Sequence, residues 1–252
     1  MEVVLDNKRV VITGMGTICP LGQDTTTTWA GLLAGQSGVG PTTLFDTSDL
    51  KVTISAEVAD FDPVGRFGRR DARRMDRYAQ FSMAAAEEAM EASQLAVTAV
   101  NAPRIGVVIG SGIGGIGTIV DTHDVVRDKG PRRVGPFAVP MMLADTAPGQ
   151  IAIRYGLQGP NFAVVAACAS GANAIGEAAA VIRRGAADAM VTGGADAALV
   201  RTAIGAFINM GALTTEWNDE PQRGSRPFDA KRSGFVAGEG AGVLVLESLD
   251  HA

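Results

Sequence analysis

Cys19 and Cys168 are the only thiols in this 252-residue chain. Neither belongs to a C-x-x-C pair, so their spacing offers neither a zinc site nor a disulfide framework. Cys168 ends the apolar run VVAAC (residues 164–168). It is followed by ASG and then by Ala172, Ile175, Ala179 and Ile182 at helical spacing. A strand that delivers a cysteine to a helix N-terminus puts it where unpaired backbone N–H groups and the helix dipole stabilise a thiolate, the form that attacks. Ala167, Ala169 and Gly171 leave room for a substrate carbonyl. The Cys168 amide would serve as an oxyanion donor. Burial as a structural thiol is the alternative. Cys19 is followed by Pro20, which withholds an amide there, and reads as structural.

Acid–base chemistry has few carriers. The histidines are His123 and His251, and no acid or base motif surrounds either, so both read as structural or solvated. A glycine motif, Gly110-x-Gly112-x-x-Gly115, follows an apolar strand pattern and precedes a helical one, the setting of a dinucleotide fingerprint. The acidic residue expected about 20 positions later is missing, because that stretch reads GPRRVGPFAVP. No G-x-x-x-x-G-K-[ST] loop occurs either. Tight strand-to-helix turning explains these glycines better than a nucleotide, and no cofactor is expected.

The net charge of −5 argues against general nucleic-acid binding. Against that background, residues 66–77 hold six arginines, Arg66, Arg69, Arg70, Arg73, Arg74 and Arg77, and two aspartates. The segment is either a solvated helix face or a dock for an acidic partner. Residues 1–11 mix acids and bases into a short apolar run, unlike a secretory signal. The uncharged stretch 155–176 is broken by glycine, proline and asparagine, which makes it core and not a membrane span. The cytoplasm is the expected compartment.

These residues must be positioned by alternating elements. Strands are predicted at 9–16, 52–58, 104–110, 162–168, 189–193 and 242–246. Helices are predicted at 24–33, 116–127, 143–155, 171–184 (closed by Gly185) and 200–210. A further helix carries Met75, Ala79, Met83, Ala86 and Met90 on one stripe, with Asp71 as its N-cap. Residues 130–140 and 222–232 read as loops. The alternation indicates an α/β layered fold with a mostly parallel sheet in one domain, and no repeat or linker divides the chain.

Taken in order, VVITGMGTICPLG, RRMDRYAQFSMAAA, IGVVIGSGIGGIGT, YGLQGPNFAVVAACASGANAIGEA, GGADAAL and SRPFDAKRSGFVAGEGAGVLVLE resemble the blocks of the elongating β-ketoacyl-acyl-carrier-protein synthases. These are condensing enzymes of the thiolase-like group. The resemblance covers nearly the whole chain. It implies a thiolase-like fold, with a mixed, mostly parallel five-stranded sheet and helices on both faces. That family's proteins consist of two similar halves, and residues 1–252 match the first, an N-terminal β-ketoacyl synthase domain.

The resemblance also implies a reaction. Cys168 would accept an acyl group from a carrier protein as a thioester, and a malonyl carrier protein would then decarboxylate and attack it. The family's two catalytic histidines lie in blocks, one resembling HGTGT, that these residues do not contain, so the 252 residues alone are not expected to condense efficiently. Ile113 matches the end of the acyl channel and Phe207 an aromatic gate. Arg70, Arg73, Arg74 and Arg132 match the basic surface that recognises the acyl carrier protein. Asn173 stands where close relatives often have histidine. A homodimer paired along residues 162–168 is implied, and an apolar face is expected where the second half would pack.

Four other functions compete. A decarboxylating chain-length partner would carry another residue, commonly glutamine, in place of Cys168. A degradative thiolase would show a different cysteine block, and a polyketide ketosynthase would share these motifs. A dinucleotide-binding protein is the outsider.

Overall fold

The computed structural model describes residues 8–252, so the first seven residues of the segment weighed as a leader lie outside the described residues. Five strands form one sheet: β1 (Val10–Ile18), β4 (Ile105–Gly110), β5 (Asn161–Val164), β6 (Ala189–Asp196) and β7 (Gly240–Ser248). Their spatial order is β1-β7-β6-β4-β5. β4 pairs in parallel with β5 and β6, whereas β7 runs antiparallel to β6 and β1. β2 (Gly40–Pro41) and β3 (Ile54–Ser55) make a separate small ribbon.

The alternation of side chains along β4 divides the core. Val107 and Ile109 join the cluster formed with α3 (Arg77–Ser93) and α6 (Thr146–Tyr155). Val108, between them, faces Ala174, Ala178, Val181 and Ile182 of α7 (Ser170–Arg183) on the opposite face. Helices therefore cover both faces, and both layers are anchored by wholly buried side chains such as Phe81 and Ile182. Burying a side chain of that size contributes about 2–3 kcal/mol. A third cluster lies at one end, where α8 (Arg201–Asn209) packs its Ile204 with Val52, Ile54 and Leu213.

Local caps explain where helices start. Asp24 opens α1 (Thr25–Leu33) by accepting from the Thr27 amide at 2.6 Å. Asp62 does the same for α2 (Pro63–Ala72), which bends at Gly68, where φ is +76°. The helix carrying the methionine stripe starts later than predicted, because its N-cap is Asp76 and not Asp71. Asp76 is buried and accepts from the Tyr78 amide and from both the amide and hydroxyl of Thr118, at 2.8 and 2.7 Å. One carboxylate thus joins the starts of α3 and α4 (Ile116–Lys129). The predicted loop 130–140 contains a 3-10 turn at Pro131–Arg133 and most of the short helix α5 (Ala138–Met142).

On the α7 side of the sheet, next to the β1 edge, apolar side chains stay uncovered: Met15, Trp29 and Leu32 are 53%, 62% and 55% exposed. Together with Ile175 and Leu244 they line a shallow cleft of about 630 Å3. No helix among the described residues is long and apolar enough to cross a membrane.

Candidate active site

β5 ends at Val164, four residues before the cysteine, so the predicted strand 162–168 is shorter than expected. The chain then makes a sharp elbow. Ala167 sits at φ +48°, a left-handed conformation that costs a non-glycine residue about 1–2 kcal/mol. Ser170 holds the elbow: its hydroxyl donates to the Ala167 carbonyl at 2.7 Å and accepts from the Ala166 amide at 2.8 Å. The amides of Ala169 and Ser170 close the same turn onto the carbonyls of Ala166 and Ala167.

The consequence is an exposed Cys168, not the buried structural thiol that was the alternative. α7 begins two residues later with no side-chain cap. Of its first-turn N–H groups, that of Ser170 closes the elbow, while those of Gly171 and Ala172 receive no side-chain cap at the end of the helix that follows the thiol.

Glycines let the elbow lie against the sheet. A β-carbon on Gly110, at the end of β4, would come within 2.2 Å of the Ser170 carbonyl oxygen, and one on Gly194 of β6 within 2.7 Å of the Gly171 Cα. Gly115 is likewise pressed on the Met141 carbonyl. The G-x-G-x-x-G run thus serves backbone packing. The amides of Gly112 and Ile113, which a pyrophosphate would need, donate to the Asp196 carboxylate at 3.0 and 3.3 Å.

A cleft of about 550 Å3 opens at Cys168. Cys19, Ile175, Asp196 and Glu239 line it, with Gly110, Gly171, Gly194 and Gly240. Cys19, which the sequence marks as structural, shares this cleft. The pairing of β1 with β7 and of β7 with β6 carries it there, and its sulfur lies 3.5 Å from the Thr28 hydroxyl oxygen. Glu239 is buried and bound bidentately by Arg77, with Nη2–Oε1 at 2.6 Å and Nε–Oε2 at 2.8 Å. Asp196 and Glu239 both escape sequence reasoning, because their partners lie 83 to 85 and 162 residues away, respectively.

The other expected site residues lie apart from this cleft. Ile113, 40% exposed, sits on the loop after β4 that Asp196 holds. Phe207 packs edge-on against Phe235, 5.6 Å between ring centres, in the end cluster. Arg70 and Arg73 are exposed on α2 and its C-cap. Arg74 stacks over Phe137 at 4.8 Å, drawing the segment that carries exposed Arg132 alongside. Arg66 and Arg77 drop out of the free basic patch, since Glu87 and Glu239 pair with them. His123 is exposed on α4, and His251 meets Glu247 at 2.5 Å; neither lines the Cys168 cleft.

A layered α/β sheet that presents a cysteine on a strained turn at a helix start places the chain in the thiolase-like fold class. The chain belongs to the β-ketoacyl synthase family: the family's model for its N-terminal domain matches residues 7–252. The chain is 49% identical over 246 residues to 3-oxoacyl-[acyl-carrier-protein] synthase 2 of Staphylococcus aureus (strain COL), covering 98% of this chain and 59% of the relative. It is 45% identical to the protein of the same name from Synechocystis sp., again covering 98% and 59%. The chain thus spans about three fifths of the length of these relatives.

Solved structures agree. A β-ketoacyl synthase from Burkholderia phymatum superposes with a TM-score of 0.87 at 34% identity, covering 97% of this chain and 60% of that one. A type II polyketide ketosynthase, solved in complex with its acyl-carrier protein and bound to the hexaketide, gives 0.85 at 28% identity, covering 98% and 60%.

Proposed function

We propose that Cys168 is the acyl-accepting nucleophile of a 3-oxoacyl-[acyl-carrier-protein] synthase of fatty acid elongation. The observation that carries this is the exposed thiol on the Ala167 elbow at the uncapped start of α7. The thiolate attacks the thioester carbonyl of an acyl carrier protein. A new C–S bond forms, the oxyanion is stabilised by the Cys168 amide, and the carrier's thiolate leaves. A malonyl carrier thioester then loses carbon dioxide, its carbanion attacks the acyl-cysteine carbonyl, and the cysteine thiolate is released.

These 252 residues supply the acyl-accepting half of that sequence. Their two histidines stand away from the cleft, so acylation proceeds here while condensation does not proceed efficiently. Ile113 and Phe207, which stand outside the Cys168 cleft, are assigned to the acyl pocket on the family resemblance alone. Arg70, Arg73, Arg74 and Arg132 receive the acidic carrier protein, an attraction that weakens with salt. β5, at the edge of the sheet, pairs with a second copy in a homodimer, and the protein works in the cytoplasm. Identity of 49% to a protein named 3-oxoacyl-[acyl-carrier-protein] synthase 2, against 28% to the polyketide ketosynthase, supports the fatty acid reading over polyketide synthesis.

Intact-mass measurement after exposure to an acyl thioester tests this, with Cys168→Ala and Cys19→Ser as controls. One adduct is expected, retained in Cys19→Ser and lost in Cys168→Ala. An adduct on Cys19, or none at all, would remove Cys168 from this role.

A further inference from the structure

Asp196 ends β6 and lines the same cleft as Cys168, yet its carboxylate is fully engaged elsewhere. Oδ1 accepts from the Ser111 hydroxyl at 3.0 Å, the Gly112 amide at 3.0 Å and the Ile113 amide at 3.3 Å, and Oδ2 accepts from Gly112 at 3.1 Å. Ser111, wholly buried, passes the contact on by accepting from the Gly114 amide at 2.9 Å. One carboxylate thus fixes the whole loop between β4 and α4. Charge-assisted hydrogen bonds of this kind are about twice as strong as neutral ones.

That loop touches the nucleophile's elbow. A β-carbon built on Gly112 would stand 3.2 Å from the carbonyl oxygen of Ala167, the strained residue immediately before Cys168, and 3.5 Å from Asp196 Oδ2. The contacts therefore run from Asp196 through Gly112 to Ala167 and Cys168. The same loop carries Ile113.

We infer that Asp196 is a positioning residue: it clamps the loop 111–114 against the Ala167 carbonyl and so sets both the presentation of Cys168 and the length of acyl chain that can approach it. The inference rests on the acyl-accepting role proposed above. It adds a residue that touches neither the sulfur nor the acyl carbonyl and acts through backbone contacts. Misplacement of a reacting group by about 1 Å costs up to 100-fold in rate, so a loosened clamp is measurable.

The test compares Cys168 acylation by butanoyl and dodecanoyl N-acetylcysteamine thioesters, followed by intact mass on the full chain. Asp196→Ala frees Ile113, and the dodecanoyl-to-butanoyl rate ratio is expected to rise about fivefold or more. Asp196→Asn keeps one oxygen for the Gly112 and Ile113 amides and should fall between the two. Gly112→Ala leaves Asp196 intact but forces the loop and the Ala167 carbonyl a few tenths of an ångström apart, and should move the ratio the same way even if Asp196→Ala does not fold by circular dichroism. A ratio unchanged in both Gly112→Ala and the folded Asp196 variants, or both rates falling by one common factor, overturns the positioning role. Wild-type protein that takes neither acyl group on Cys168 overturns the acyl-accepting role itself, which is a separate result.

Discussion

Gly110 and Ser170 are packed so closely that the hydrogen standing in place of a side chain on Gly110 is all that separates the end of β4 from the first carbonyl of α7. The closeness matters because Ser170 holds the Ala167 turn through its hydroxyl, and that turn exposes Cys168. The sheet thus supports the strained elbow through backbone contacts, with no bulky side chain between.

Gly110→Ala should therefore be disruptive. Its β-carbon meets backbone that cannot swing away, and overpacking of this kind costs about 1–3 kcal/mol or more. Gly176→Ala, in the middle of α7 with nothing within 4 Å of the added carbon, should instead stabilise by up to about 1 kcal/mol. Urea unfolding midpoints measure both. Equal effects of one sign would show that the close approach of β4 to α7 is not what holds the elbow.

Arg77 and Glu239 supply a second test. Glu239 has 1% of its side chain exposed, and among the described residues it accepts, besides Arg77, only the Val58 amide, at 3.0 Å. Arg77→Met should leave a buried carboxylate without its counter-charge and cost about 3 kcal/mol. Glu239→Gln should cost less, because its carbonyl still accepts from Val58, and Arg77→Met combined with Glu239→Gln should recover part of the loss. A double-mutant cycle by urea denaturation checks this. A loss below about 1 kcal/mol for Arg77→Met would mean that water, not Arg77, compensates the charge.

Much of this was legible in the sequence wherever the signal was local. The apolar run into Cys168 followed by a helical stripe marks the elbow, although Ala167 betrays nothing of its left-handed conformation, which glycine would have advertised. The stretch 71–76 offers two aspartates as caps, and the choice falls to Asp76 because only its carboxylate also meets Thr118 on another helix. The strand predicted at 52–58 shrinks to Ile54–Ser55, since its partner is just Gly40–Pro41 and proline donates nothing to a ladder. Asp196, Glu239 and the shared cleft of Cys19 and Cys168 depend on strand order, which no local pattern encodes.

Two carboxylates predict opposite responses to pH. Hydrogen bonds from Arg104, at 2.7 and 2.9 Å, hold the Asp188 carboxyl below its ordinary value. The folded state then binds that proton more weakly than the unfolded one. The stabilisation is complete above the ordinary aspartate range and is lost as pH falls through the lowered value. Desolvation, with the charges of Asp76 and Asp124, holds Asp121 above its ordinary value, so the folded state binds that proton more tightly. Its charged form destabilises the fold at neutral pH, a cost relieved as pH falls. Asp188→Asn should therefore lower stability at pH near 7, by about 1 kcal/mol or less because the pair is partly exposed, while Asp121→Asn should raise it. Both differences should shrink toward zero near pH 3, where wild-type aspartates take up protons. Thermal unfolding of the two variants across that range measures the signs, and a destabilised Asp121→Asn at neutral pH would show that its carboxylate is held by a favourable contact and not by repulsion.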